Sequence, residues 1–226
     1  MVMPPRRPPP AKLIGVIVDL RGNVPASLAG VARDAYGLVL SESGLAALPA
    51  DVGTAGDLRM LDVAHNALTA LPPGVADLTA LEVLYLGDNR FTEIPEVVRA
   101  LRSLVYLGGD GNQIPALPEW IGELEQLVEL RVQHNRLTEL PPAIGGLRAL
   151  RELHLRGNAI SALPPEIGAL RELRAIDLRA NGTPDLPPAL LDPPRLDKLD
   201  LRWNPYPELP EVAAALRDRG CFVLWP

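Results

Sequence analysis

Three histidines, a single cysteine and a spaced series of arginines are the residues of this 226-residue chain whose chemistry asks for an explanation. A thiol can act as a nucleophile when a base stands beside it. Cys221, however, falls where the patterned part of the chain ends, so it reads as a residue that closes a core. The run Asp110-Gly111-Asn112 lacks the flanking carboxylates of a calcium loop. Neither G-x-x-x-x-G-K-S/T nor G-x-G-x-x-G occurs, so the backbone cradles of nucleotide binders are missing. Asn181-Gly182-Thr183 matches a glycosylation sequon. Arg131, Arg156, Arg179 and Arg202 interleave with Glu129, Glu152, Asp177 and Asp200. Charges of both signs at a fixed spacing suit recognition better than bond breaking. The expectation is therefore a protein without catalytic residues, cofactor or metal.

These residues share a period with the elements that must position them. A Leu-Pro or Ile-Pro pair starts at Leu48, Leu71, Ile94, Leu117, Leu140, Leu163, Leu186 and Leu209, with 23 residues between successive pairs. Asparagine keeps the same step at 66, 89, 112, 135, 158, 181 and 204, with Ser43 in the first such position. Residues 35–218 divide into eight units, of which LVELRVQHNRLTELPPAIGGLRA, residues 127–149, is representative. A fixed period of this size marks a solenoid. The L-x-L of each unit is a period-two signal and predicts a short strand. The asparagine amide has donors and an acceptor with which to link one turn to the next. Proline fixes φ and forbids a regular strand after the turn, so the outer segment is a short helical or extended piece. Such coils need only thin leucine layers, which fits 47% hydrophobic but 4% aromatic residues.

The pattern L-x-x-L-x-L-x-x-N-x-L-x-x-L-P-x-x-I-x-x-L is that of the leucine-rich repeat. In its 23-residue Leu-Pro form it resembles the Ras-suppressor and plant intracellular Ras-group-related class, over residues 15–224. The resemblance implies an α/β right-handed solenoid with short parallel strands on the concave face and short helical or extended turns on the convex face. It also implies protein partners, small GTPases among them.

Counting slots from Ala35, positions two, three, five, seven and eight face away from the core or sit at its rim. The N-terminal half of this face is apolar and aromatic, with Met60, Val83, Tyr85 and Tyr106. The C-terminal half is charged. The partner-binding set read from these slots is Met60, Tyr85, Tyr106, Arg131, His134, His154, Arg156, Asp177, Arg179, Asp200, Arg202 and Trp203. Tyr85, Tyr106, Arg131 and His154 form its expected centre, since Tyr and Arg favour hot spots. The alternative is a self-paired lattice, because the acidic column can neutralise the arginines. His134 and His154 lie on adjacent strands but out of register, roughly 10 Å apart from strand rise and spacing, too far for shared metal ligation.

The domain organisation follows. Residues 1–11 are expected to be a flexible proline-rich tail, with an SH3-type ligand in PPRRPPP as the alternative reading. Residues 12–226 are the repeat domain, with an N-terminal cap or degenerate repeat at 12–34 and a C-terminal cap at 219–226. In the N-terminal cap Val18, Leu20 and Asn23 fill repeat slots and 27–35 is a candidate helix. In the C-terminal cap Phe222 and Leu224 take strand slots and Trp225 covers the last layer. Three positions depart from the pattern: Gly109, Thr183 and Pro193. A net charge of −6 argues against nucleic acid. No apolar run of about 18 residues argues for a membrane span, and no signal peptide is visible. The reading is a monomeric cytoplasmic interaction module, for which the resemblance implies a signalling scaffold; a secreted bacterial effector or a substrate-recognition domain is the alternative.

Overall fold

The computed structural model describes residues 16–31, 35–182 and 184–225. Ten strands form one parallel sheet in sequence order. They are β1 (Val16–Asp19), β2 (Ala35–Val39), β3 (Met60–Asp62), β4 (Val83–Tyr85), β5 (Tyr106–Gly108), β6 (Glu129–Arg131), β7 (Glu152–His154), β8 (Ala175–Asp177), β9 (Lys198–Asp200) and β10 (Phe222–Leu224). From β2 to β9 the register repeats without slippage: Leu61 pairs with Leu84, Leu84 with Leu107, and Leu107 with Leu130. Each strand is short because the left-handed residue and the asparagine that follow it turn the chain inward.

The asparagine ladder is built as the spacing predicts. Asn112 donates from Nδ2 to the carbonyls of Leu86, one turn back, and Gly109 in its own turn, at 3.1 and 3.2 Å. Its Oδ1 accepts the Phe91 N–H at 3.0 Å. Asn66, Asn89, Asn135, Asn158 and Asn181 repeat both kinds of bond. Asn204 Oδ1 accepts the N–H of Asn181, as Asn66 Oδ1 accepts that of Ser43. Asn181 is thus buried and spent in the ladder, and Thr183, the third residue of the sequon match, lies outside the described residues. Buried backbone groups need partners, and this column supplies them where no regular ladder runs.

Inside, the layers are leucine. Slots one, four and six meet slots eighteen and twenty-one, as at Leu127, Leu130, Val132, Ile144 and Leu147, all fully buried. Gly109 leaves slot six without a side chain. The terminal methyls of Ile94 and Ile114 close over it, 3.5 and 3.8 Å from where a Cβ would stand. The departure is a repacked layer, with the neighbours filling the space. Pro193 sits buried in slot twenty-one.

The convex segments are 3-10 turns, for example Pro142–Gly146, capped by Leu147, whose N–H bonds to the Ile144 carbonyl. Proline loses nothing at their start because the first N–H groups have no partner in a helix anyway. Neighbouring turns come so close that a Cβ on Gly122 would stand 2.2 Å from the Ala143 carbonyl oxygen. The last convex segment differs: α1 (Glu211–Asp218) is a full α-helix. Its EVAAALRD sequence has high helix propensity and no glycine.

A strand stands at each end of the sheet, with Val16, Ile17 and Phe222 exposed. β1 supplies the N-terminal strand, and Phe222–Leu224 forms β10 with Trp225 packed partly against the core. Among the described residues the expected helix at 27–35 is not seen: the Val31 N–H bonds to the Leu28 carbonyl in a turn, and Ala35 begins β2. Gly30 is left-handed at φ 78. Asp51 holds this turn by accepting the N–H groups of Leu28 and Ala29 and the Ser27 hydroxyl. The PPRRPPP tail lies outside the described residues. Among those described, no helix is long and apolar enough to cross a membrane.

Candidate concave binding face

Slots three and five of the strands point away from the leucine layers, so they make the concave face. In its N-terminal half the side chains fold onto one another. Met60 reaches across Gly37, where an added Cβ would be 2.7 Å from its terminal methyl, and is itself only 7% exposed. Tyr106 lies over Gly108 in the same way, with its ring 2.9 Å from the Cβ position. Its centroid is 4.9 Å from that of Tyr85. Burial pushes the Tyr106 hydroxyl well above the usual tyrosine range. Glycine at slot five is therefore what lets the Tyr106 ring fold over its own strand beside Tyr85.

A charged cluster follows at the middle. Arg131 Nε donates to Glu129 Oε1 at 2.5 Å. His154 Nε2 stands 3.2 Å from Glu152 Oε2 and 3.5 Å from Glu129 Oε1. Asp110 accepts the Gln133 N–H at 2.9 Å, yet burial still raises its carboxyl above the ordinary value. The structure thus brings Tyr85, Tyr106, Arg131 and His154 into one continuous stretch on β4 to β7.

The C-terminal part repeats a fork. Arg179 grips Asp177 through Nε at 2.8 Å and Nη2 at 2.5 Å. Arg202 grips Asp200 at 2.9 and 2.7 Å. Burial alone would raise Asp177, but the hydrogen bonds from Arg179 outweigh it and hold the carboxyl below its usual range. Asp177 and Asp200 are both buried under these arginines. Turn six breaks the pattern. His154 occupies the slot where Asp177 and Asp200 stand, so Arg156 has no carboxylate fork. Its guanidinium instead lies 4.5 Å from the centre of the Trp203 ring, with Arg179 at 5.3 Å.

The rim has its own rule. Slot eight of all eight turns is left-handed: Glu42, His65, Asp88, Gly111, His134, Gly157, Ala180 and Trp203, with φ between 52 and 69. At Trp203, φ is 64 and 58% of the residue is exposed. A bulky residue in this region is a genuine outlier. Asp88 lies over Gly111, and His134 lies over Gly157, where a Cβ would be 2.5 Å from its Nδ1. His134 is accordingly a rim residue set against Gly157, apart from the His154 cluster. The left-handed slot was legible only in Gly111, Gly157 and Gly-tolerant neighbours of asparagine; the repeat pattern itself carries no letter for it.

The leucine-rich-repeat family matches residues 56–114 and 125–182, just over half of the chain. This is a leucine-rich-repeat protein. The protein is similar in structure to a leucine-rich-repeat protein of Leptospira interrogans, at 23% identity and TM-score 0.59, with 92% of this chain and 71% of that one covered. It is also similar to the ectodomain of the Arabidopsis thaliana membrane receptor kinase GASSHO1/SCHENGEN3, solved in complex with CASPARIAN STRIP INTEGRITY FACTOR 2. There the identity is 26%, the TM-score 0.67, and the coverage 92% of this chain but 29% of that one. No curated protein matches the chain.

Two groups in this leucine-rich-repeat protein invite chemical readings. Ligand atoms of Glu129, Glu152 and His154 lie within 4.8 Å of one another, a spacing that a metal ion could use. Arg131 already neutralises Glu129, so the arrangement works as a hydrogen-bonded charge cluster. Cys221 is buried, and burial with the nearby Asp197 charge raises its thiol to about 11. A thiol that stays protonated is a poor nucleophile.

Proposed function

We propose that the protein is a non-catalytic module that holds a protein partner on the concave face. The observation that carries this is the contrast within each strand: slot four is Leu or Ile in every turn and slot six is aliphatic in every turn but that of Gly109, while slots three, five and seven vary in size and charge along the sheet. Surface variation on an invariant scaffold is how repeat proteins present a binding face. The tyrosine pair and Arg131 supply the residue types that dominate interface energetics. The plant ectodomain with its bound partner gives a precedent at low identity for this fold. The resemblance to Ras-suppressor proteins nominates a small GTPase or another component of a signalling scaffold, met in the cytoplasm by a monomer.

The test is capture from native lysate by the full chain and by a Tyr106→Ala/Arg131→Gln variant with an unchanged circular dichroism spectrum. Specific proteins held by the wild type should be lost from the variant. Equal capture by both would remove the concave face from the binding reaction.

A further inference from the structure

The geometry points to Arg156 and Trp203 as a subsite for a carboxylate side chain, Asp or Glu, in an extended acidic segment of the partner. The inference rests on the concave-face reading above and names the chemistry it would recognise. In turns seven and eight the aspartate at slot five neutralises the arginine at slot seven through a two-bond fork. In turn six the aspartate is replaced by His154, which turns to Glu152 and Glu129. Arg156 is left without a carboxylate among the described residues. Its Nε is shut off from solvent and has no hydrogen-bond partner. A guanidinium cannot shed its charge, so the two terminal amino groups carry an uncompensated cation on the face.

Trp203 fixes where that cation sits. Its ring reaches back along the rim, past the small Ala180, to stack with Arg156 at 4.5 Å and Arg179 at 5.3 Å. The residue holds an unfavourable left-handed backbone while most of its surface faces solvent. The repeat imposes that backbone at slot eight of every turn, so what singles out Trp203 is the exposed ring placed there. The pairing is local: Asp177 and Asp200 are taken by Arg179 and Arg202, and Glu129 and Glu152 by Arg131 and His154. A single carboxylate on the two terminal amino groups of Arg156 would supply the two-bond pairing that Arg179 and Arg202 make through Nε and Nη2. A neighbouring apolar residue of the same segment would cover the open part of the indole. Planar two-bond recognition favours carboxylate on arginine, and the two built forks in this sheet are carboxylate forks.

An array of short extended peptides tests this, each with Glu, Gln or phosphoserine at the centre between apolar residues, probed with the labelled full chain. Wild type should prefer Glu over Gln by at least about tenfold, the range of a hydrogen bond to a charged group. Arg156→Gln should abolish the preference, Trp203→Ala should weaken binding of every Glu peptide, and Arg136→Gln on the exposed outer side should change neither. The inference is overturned by an equal response to Glu and Gln, by a preference that survives Arg156→Gln, or by stronger binding of phosphoserine. Melting curves of each variant separate loss of binding from loss of fold. The two readings also fail separately. A partner released by the Tyr106/Arg131 variant but kept by Arg156→Gln would leave the concave face in use and remove this subsite.

Discussion

The inner wall and the concave face are made by the same strands, yet they obey different rules. Leu61, Leu84, Leu107, Leu130 and Leu153 stack as one column, and every turn demands the same shape from the next. One slot away, Asp62, Tyr85, Gly108, Arg131, His154, Asp177 and Asp200 share a column with no common shape or charge. The wall is constrained by the turns on both sides. The face is constrained only by mutual contacts such as Tyr106 on Gly108 and Arg179 on Asp177. Substitutions should therefore cost much on the wall and little on the face, unless they break one of those contacts.

The largest effect is expected at the ladder. Asn112→Ala removes the partners of two buried carbonyls and one buried N–H. Each orphaned group costs about 1–3 kcal/mol, so a loss of about 3 kcal/mol or more is expected in chemical denaturation. A loss under about 1 kcal/mol would mean that water replaces the amide, which the buried position opposes.

On the face, Asp177→Asn breaks one fork. The folded-state pKa of Asp177 lies below its ordinary value. Its contribution is therefore present above about pH 3.9, the unfolded value, and is lost as pH falls through the folded value. Wild type should exceed the variant by up to about 1 kcal/mol near neutrality, since the pair is only partly shielded. The two should converge in acid. A difference that stays constant across a pH series of melts would assign the effect to packing instead.

The wall was almost wholly legible in the sequence, because periodicity repeats each constraint eight times. The pairing of Asp with Arg across one strand could also be seen in the spacing. Three features could not. Met60 and Tyr106 fold over Gly37 and Gly108, and a slot pattern says which way a residue points but not that its neighbour lacks a side chain. The left-handed rim is a backbone state shared by Glu42, His65 and Trp203, whose types have nothing in common. The α1 helix departs from the convex pattern where Ala213, Ala214 and Ala215 raise helix propensity. Charges on Arg156 and Arg179 drew attention in the sequence as equals. Only the geometry separates the paired one from the unpaired one.

Gly109 tests whether the wall has reached its own optimum. Its φ is not left-handed, and an added Cβ would meet only ordinary contacts at 3.5–3.8 Å. Gly109→Ala should stabilise the fold by about 0.4–1 kcal/mol, mainly by restricting the unfolded chain. A destabilised variant would show that Ile94 and Ile114 leave no room.

The smallest effect on stability is expected at Arg156, and this sets the face apart most sharply. Arg179 and Arg202 neutralise buried aspartates, so removing either guanidinium would strand a carboxylate. Arg156 neutralises nothing, and its Nε–H is an unsatisfied donor. Arg156→Gln loses a stacking contact with Trp203, worth about 0.5–1 kcal/mol at an exposed site. It also relieves a desolvated donor of comparable cost. The two nearly cancel, and the melting point should stay within the change expected for about 0.5 kcal/mol. Arg179→Gln, which strands Asp177, should fall clearly below it. Equal losses at the two positions would mean that Arg156 is bound into the lattice after all, and that the sixth turn differs from the seventh in sequence only.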